Sequence, residues 1–226
     1  MLTRRVLWLG VVSFVALCWK AAPSSAAMYA FTPVSFNSGA IANAVAAQFS
    51  LDVTASGSHA LFTFANNGSV ASAITGTYFD DGAGVLDSIL TPLNGSGVYF
   101  RLGGNPANLP APMDPYRFGA NFWATAKAPK GLGKNGVDNM GEFVTIPFTL
   151  ESGKSFADVL AALDAGLTDP TSTIGSLRVG IHVQSIGTTG QSDAFMLTPV
   201  HTPLPGAVLL GLLGLSAAGL ELRRLT

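Results

Sequence analysis

Outside its first two dozen residues this chain has no means of making a disulfide. Cys18 is the sole cysteine among 226 residues, and it lies in an N-terminal apolar run. The rest of the chain therefore depends on a buried core and not on cross-links. Charge is scarce as well. Asp, Glu, Lys and Arg together make up 11%, against about 25% in an average soluble domain. The hydrophobic share, 48%, is ordinary, so the deficit is filled by uncharged polar residues and by 26 glycines. Small residues, turn formers and few lysines fit an all-β secreted protein better than a helical cytosolic enzyme. Between residues 28 and 201, seven basic side chains stand against twelve acidic ones, a net of −5. No nucleic-acid partner is expected of such a surface, because phosphate binding needs lysine and arginine to displace counterions.

The usual catalytic and metal signatures are missing too. His59, His182 and His201 are far apart and none has a second ligand at helical spacing, which argues against zinc. There is no Gly-x-Ser-x-Gly elbow. Gly131-Leu132-Gly133-Lys134-Asn135 lacks the leading glycine and the hydroxyl residue after the lysine that a phosphate loop requires. The expectation is a non-enzymatic protein without a cofactor.

Both ends read as signals. Arg4-Arg5, an apolar run from Val6 to Trp19 and a small-residue stretch reaching Ala27 follow the order of a secretory leader. Ser25 and Ala27 suit the two small pockets of a signal peptidase, which places the cut after Ala27. The apolar run is shorter than the ~20 residues of a membrane span, and Leu17 before Cys18 is too large for a lipoprotein signal. At the other end, Pro203-Leu204-Pro205-Gly206 leads into an almost wholly apolar stretch to Leu220, followed by Arg223-Arg224. Residues 204–220 would span about 26 Å as a helix, the low end for crossing a bilayer. The arginines would stay on the cytoplasmic side and the body outside, as the leader also requires.

The proline pair, the short Leu/Gly-rich span and the terminal arginine pair resemble the PEP-CTERM sorting signal of exported bacterial proteins. The matching residues are Pro203, Leu204, Pro205, Arg223 and Arg224, in the related V-P-L-P form with Thr202 in place of Val. The resemblance implies processing by an exosortase, a membrane cysteine protease. It also implies transient anchoring by the C-terminal helix, a destination at the cell surface or beyond, and association with extracellular polysaccharide. Parts of the body, including Ile74–Gly82 and Leu177–Gln184, resemble other PEP-CTERM proteins, with no activity carried over.

The body reads as strands. Phe49, Leu51 and Val53 alternate with polar residues, and eight further short segments follow between Gly, Pro, Asn and Asp clusters. They are 59–65, 74–79, 85–90, 98–102, 118–126, 143–150, 177–186 and 194–197. One segment has helical spacing: Ser155 to Asp158 is a capping box, and Phe156, Val159, Leu160 and Leu163 form a stripe that Gly166 can end. The expected fold is all-β: a single β-sandwich, jelly-roll or Ig-like, of about nine strands with one short helix. The organisation is 1–27 leader, 28–201 domain and 202–226 sorting tail. Two long loops, 103–116 and 128–139, should decorate one core.

Two places invite a ligand. Asp80, Asp81 and Asp87 crowd a Gly-rich turn that could gather oxygens for calcium, although Asp-Gly turns also close hairpins without metal. Trp123, beside Asn121 and Thr125, is either a sugar-stacking platform or a second core-facing ring. His182, with Arg178 and Gln184, reads as part of a solvated strand face. The function expected is an exported surface or matrix protein; the alternative is a carbohydrate-binding module or carbohydrate-active enzyme of the envelope.

Overall fold

Inward and outward residues alternate cleanly along β2 (Phe49–Ser56) and β3 (His59–Asn66), which join through the positive-φ Gly57. Such a pair buries one face and leaves the other to water. A computed structural model of the chain describes residues 27–110 and 112–198. The remaining strands are β1 (Ala27–Pro33), β4 (Ala73–Asp81), β5 (Leu86–Ile89), β6 (Leu93–Asn94), β7 (Phe100–Leu102), β8 (Phe122–Ala126), β9 (Phe143–Leu150), β10 (Leu177–Ile186) and β11 (Gln191–Thr198). The helices are α1 (Ile41–Ala46) and α2 (Phe156–Thr168). Ser25, Pro203, Leu204, Pro205, Arg223, Arg224 and the apolar span before those arginines lie outside the described residues. Among the described residues no helix is long and apolar enough to cross a membrane.

The all-β expectation holds, and each of the nine expected strands is present. The structure adds β1, β6 and α1. It also joins all eleven strands in one sheet, ordered β5-β9-β3-β2-β1-β11-β10-β4-β8-β7 with β6 beside β9, where a two-sheet sandwich was expected. The named strand pairs are antiparallel. The sheet curls until it is nearly closed, like a barrel. Phe79 on β4 therefore meets Phe62 on β3 and Phe148 on β9 across the interior, with ring centroids 5.1 and 4.7 Å apart and edge-to-face geometry.

The helices sit at opposite ends of β10. Ser155 caps α2 in a full capping box with Asp158, as its sequence predicts. Val159, Ala162 and Leu163 enter the core. Gly166 does not end the helix. It lies buried in the last turn, where a Cβ would come 2.7 Å from the Leu177 carbonyl oxygen, so its missing side chain is what lets helix and strand approach. At the other end, Val45 and Ala46 of α1 join the core, and Ile41 reaches Gly187 beyond β10.

The two ends of the sheet are consecutive in sequence. Five residues separate β6 from β7, and the Asn94 side chain bridges the gap. Its Nδ2 donates to the Phe100 carbonyl at 3.2 Å and its Oδ1 accepts from the Phe100 N–H at 2.7 Å. One side-chain amide thus copies a cross-strand peptide pair. Asn94→Ala should remove about 1–2 kcal/mol, two net hydrogen bonds, and should speed hydrogen exchange at the Phe100 amide while leaving β2 and β3 protected.

Candidate functional site

The acidic turn comes first, because three carboxylates fall within eight residues. The chain does not double back there as a hairpin. β4 pairs with β10 and β8, whereas β5 pairs with β9, so residues 82–85 carry it from one side of the barrel to the other. Asp80 and Asp81 point to opposite faces. Asp80 is buried and ion-paired with Nη2 of Arg178, and it also accepts from the Gly119 N–H at 3.0 Å. Asp81 accepts from the amides of Val85 and Leu86 at 3.0 and 2.8 Å, holding the turn. Asp87 faces Ser88 Oγ and Thr149 Oγ1 on the β5–β9 edge. Each carboxylate already has donors inside the protein, and among the described residues no group of three His, Cys, Asp or Glu side chains is placed to share a metal ion. Millimolar calcium should therefore leave the melting temperature almost unchanged. A site filled at ~100 times its dissociation constant would instead add about 2.7 kcal/mol, and a rise abolished by Asp87→Ala would overturn this assignment.

The face carrying Arg178 and His182 is not solvated. β4 and β10 are buried along nearly their whole length, on both sides. The cover is the segment from Gly103 to Asn121, which folds back over the outside of the sheet and builds a second apolar cluster from Val34, Tyr78, Leu109, Phe118, Ala194 and Met196. Gly180 makes room for it: a Cβ there would stand 2.9 Å from Leu109 Cδ2. Under this cover Arg178 stacks against Phe118, 5.4 Å from the ring centre. The Tyr78 hydroxyl donates to the Pro106 carbonyl at 3.3 Å, and burial pushes its ionisation well above the usual range. His182 is 7% exposed. Burial, helped by the Lys130 cation and opposed by Asp193, lowers its pKa to about 4. Lys130, itself lowered by burial and by Arg101, donates to the Asn105 carbonyl at 2.7 Å.

Trp123 lies where the cover meets the seam of the barrel. Its indole N–H donates to the Gly104 carbonyl at 3.0 Å, and its ring packs beside the second cluster while staying partly exposed. With Asn121, Phe122, Leu102 and Gly103 from one end of the sheet and Ile89 from the other, it lines an open cleft of about 130 Å³. Comparison with protein-family models, curated proteins and solved structures gave no match. The cleft is thus read from its chemistry alone: a partly exposed indole, apolar walls and one amide. Asn121 Oδ1 is committed to the Asp81 N–H at 2.7 Å.

Trp123 and the three acids are not gathered in one site. Asp80 sits beneath the cover with Arg178, Asp81 beside Asn121, and Asp87 on the far edge. Sequence reading passed over Arg178 and His182 as surface residues. The signal that marks them is Gly180 between them in β10, since an interior strand glycine often marks a close approach by another part of the chain, here Leu109.

Proposed function

We propose that this is an exported, non-enzymatic surface or matrix protein, processed by an exosortase through its C-terminal tail and associated with extracellular polysaccharide. The reading is supported by the sequence: the leader pattern up to Ala27 and the tail from Pro203 to Arg224 flank the residues that form the sheet. A cut after Ala27 would give Met28 a new α-amino group, and the cross-strand partner of Met28 is Asp52, a group of opposite charge. The polysaccharide association rests on the family resemblance alone.

The test is mass spectrometry of the protein recovered from its own host. The expected chain starts near Met28 and lacks Arg223-Arg224. An intact N-terminus on the recovered protein would sink the export reading. An intact C-terminus in a host with an active exosortase would sink only the sorting reading. The second reading, a carbohydrate-binding module, is favoured by the Trp123 ring at the seam cleft. A glycan screen of the full chain, with and without calcium, tests this second reading: saturable binding lost in Trp123→Ala supports the module, and no saturable binding would sink it.

A further inference from the structure

The seam of the barrel leaves two strand edges facing each other, an arrangement independent of the export reading. Along β7, the Lys127 N–H donates to the Tyr99 carbonyl at 2.9 Å and the Gly103 N–H to the Trp123 carbonyl at 3.0 Å. Arg101 stands opposite Thr125 between them. Peptide groups alternate in direction along a strand, so those of Phe100 and Leu102 face away from β8, into the seam. Asn94 bears this out, because its amide takes both the N–H and the carbonyl of Phe100. The N–H and carbonyl of Leu102, the next residue on that edge, have no such partner among the described residues.

β5 presents the matching edge. The Leu90 N–H donates to the Pro147 carbonyl at 2.8 Å, and Ile89 stands opposite Phe148. The Ile89 peptide groups therefore face away from β9, again into the seam. β5 and β7 do not pair with each other. Ile89 and Leu102 line the open cleft of about 130 Å³ together with Phe122 and Trp123.

Unpaired peptide groups on an edge are a template for another extended backbone. Successive residues of a strand turn their N–H and carbonyl groups to opposite edges, so neighbouring residues of one segment can meet Leu102 and Ile89 together. A sugar ring has no such two-sided repeat. We propose that the seam binds a short extended peptide segment of a protein partner. It pairs with Leu102 on one side and Ile89 on the other, and lays an apolar side chain against Phe122 and Trp123. Asn94 closes the slot at the next position along β7. The second reading above places a glycan in this same cleft, and one experiment sets the two against each other.

The peptide Ac-Thr-Val-Thr-Val-Thr-amide is titrated into the full chain while NMR follows the Leu102 amide and the Trp123 indole N–H. Both signals should shift saturably, and hydrogen exchange at the Leu102 amide should slow. The same peptide N-methylated at both valines should bind at least about tenfold more weakly, the worth of one hydrogen bond. Leu102→Pro removes the N–H on the seam side and spares the pairing with β8, the kind of edge position where proline is tolerated; it should abolish binding. Leu102→Ala keeps the N–H and should keep saturable binding. No saturation, equal affinity for the methylated peptide, tighter binding of cellohexaose, or equal binding by the Pro and Ala variants would each overturn the proposal. Signals that move on concentrating the peptide-free chain would give the slot to a second copy and overturn it as well. Should Leu102→Pro not fold, the methylated peptide decides alone.

Discussion

Asp80→Ala should destabilise the protein by about 3–5 kcal/mol, the cost of leaving a buried charge without its partner. For a folded unit of this size that corresponds to roughly 10–15 °C in melting temperature. The side chain left behind, Arg178, is 1% exposed and enclosed by Phe118 and the second apolar cluster, so water cannot replace the lost carboxylate. Arg178→Met alone should also be costly, because it strands Asp80. The double variant Asp80→Leu/Arg178→Met should recover much of the loss, since it removes both charges from an otherwise apolar setting. Thermal melts of the three variants make a double-mutant cycle. Additive losses would mean that the pair is not coupled under the cover.

Acid should weaken the fold through His182. Its folded pKa of about 4 lies below the ordinary 6.5, so the unfolded chain binds the proton first. Above pH 6.5 both states are neutral there and the residue's contribution is fully present. As pH falls toward 4 the unfolded state gains a proton that the folded state refuses, and stability drops by about 3 kcal/mol over that window. His182→Asn removes the titration. Urea unfolding at stepped pH should show a steeper slope for the parent than for the variant between pH 6.5 and 4. Equal slopes would place the histidine in contact with water. Lys130 and Asp193 face the same site; both are present in parent and variant, so the difference between the two at each pH reads the imidazole.

Period-two patterning made the inward-facing residues of β2 and β3 legible, because one side of those two strands faces water. It could not say which strands pair. Alternation fixes the face that a residue occupies and leaves the neighbour open, so one curled sheet and two stacked sheets read alike. The shorter elements were hidden for local reasons. β1 follows directly on a run of small residues in the sequence and ends at Pro33. β6 has two residues. α1 has six, with Ala40 at its N-cap offering no side-chain hydrogen bond. α2 was legible because Ser155 and Asp158 announce its start. Arg178, His182 and Asp80 were misplaced because their burial comes from Leu109 and Phe118, far away in sequence, within a segment whose prolines suggest a surface loop. The acidic turn was legible as a turn, but its route across the barrel depends on pairings that no local pattern encodes.

The position of β1 between β2 and β11 bears on the order of folding. Ala30 pairs with Ser50 on one side and with Thr198 on the other. The first edge can close as soon as the next strand is available. The second must wait for the last of the described strands, at the loop-closure cost of about three quarters of the chain length. A chain threaded outward from its N-terminus would keep an unsatisfied row of peptide groups on β1 until residues 191–198 emerge. It would therefore be prone to wrong pairing throughout synthesis. Sequence-distant pairings of this kind place β proteins among the slow folders, in milliseconds to seconds, and here the pairing of β1 with β11 joins the first and last of the described strands.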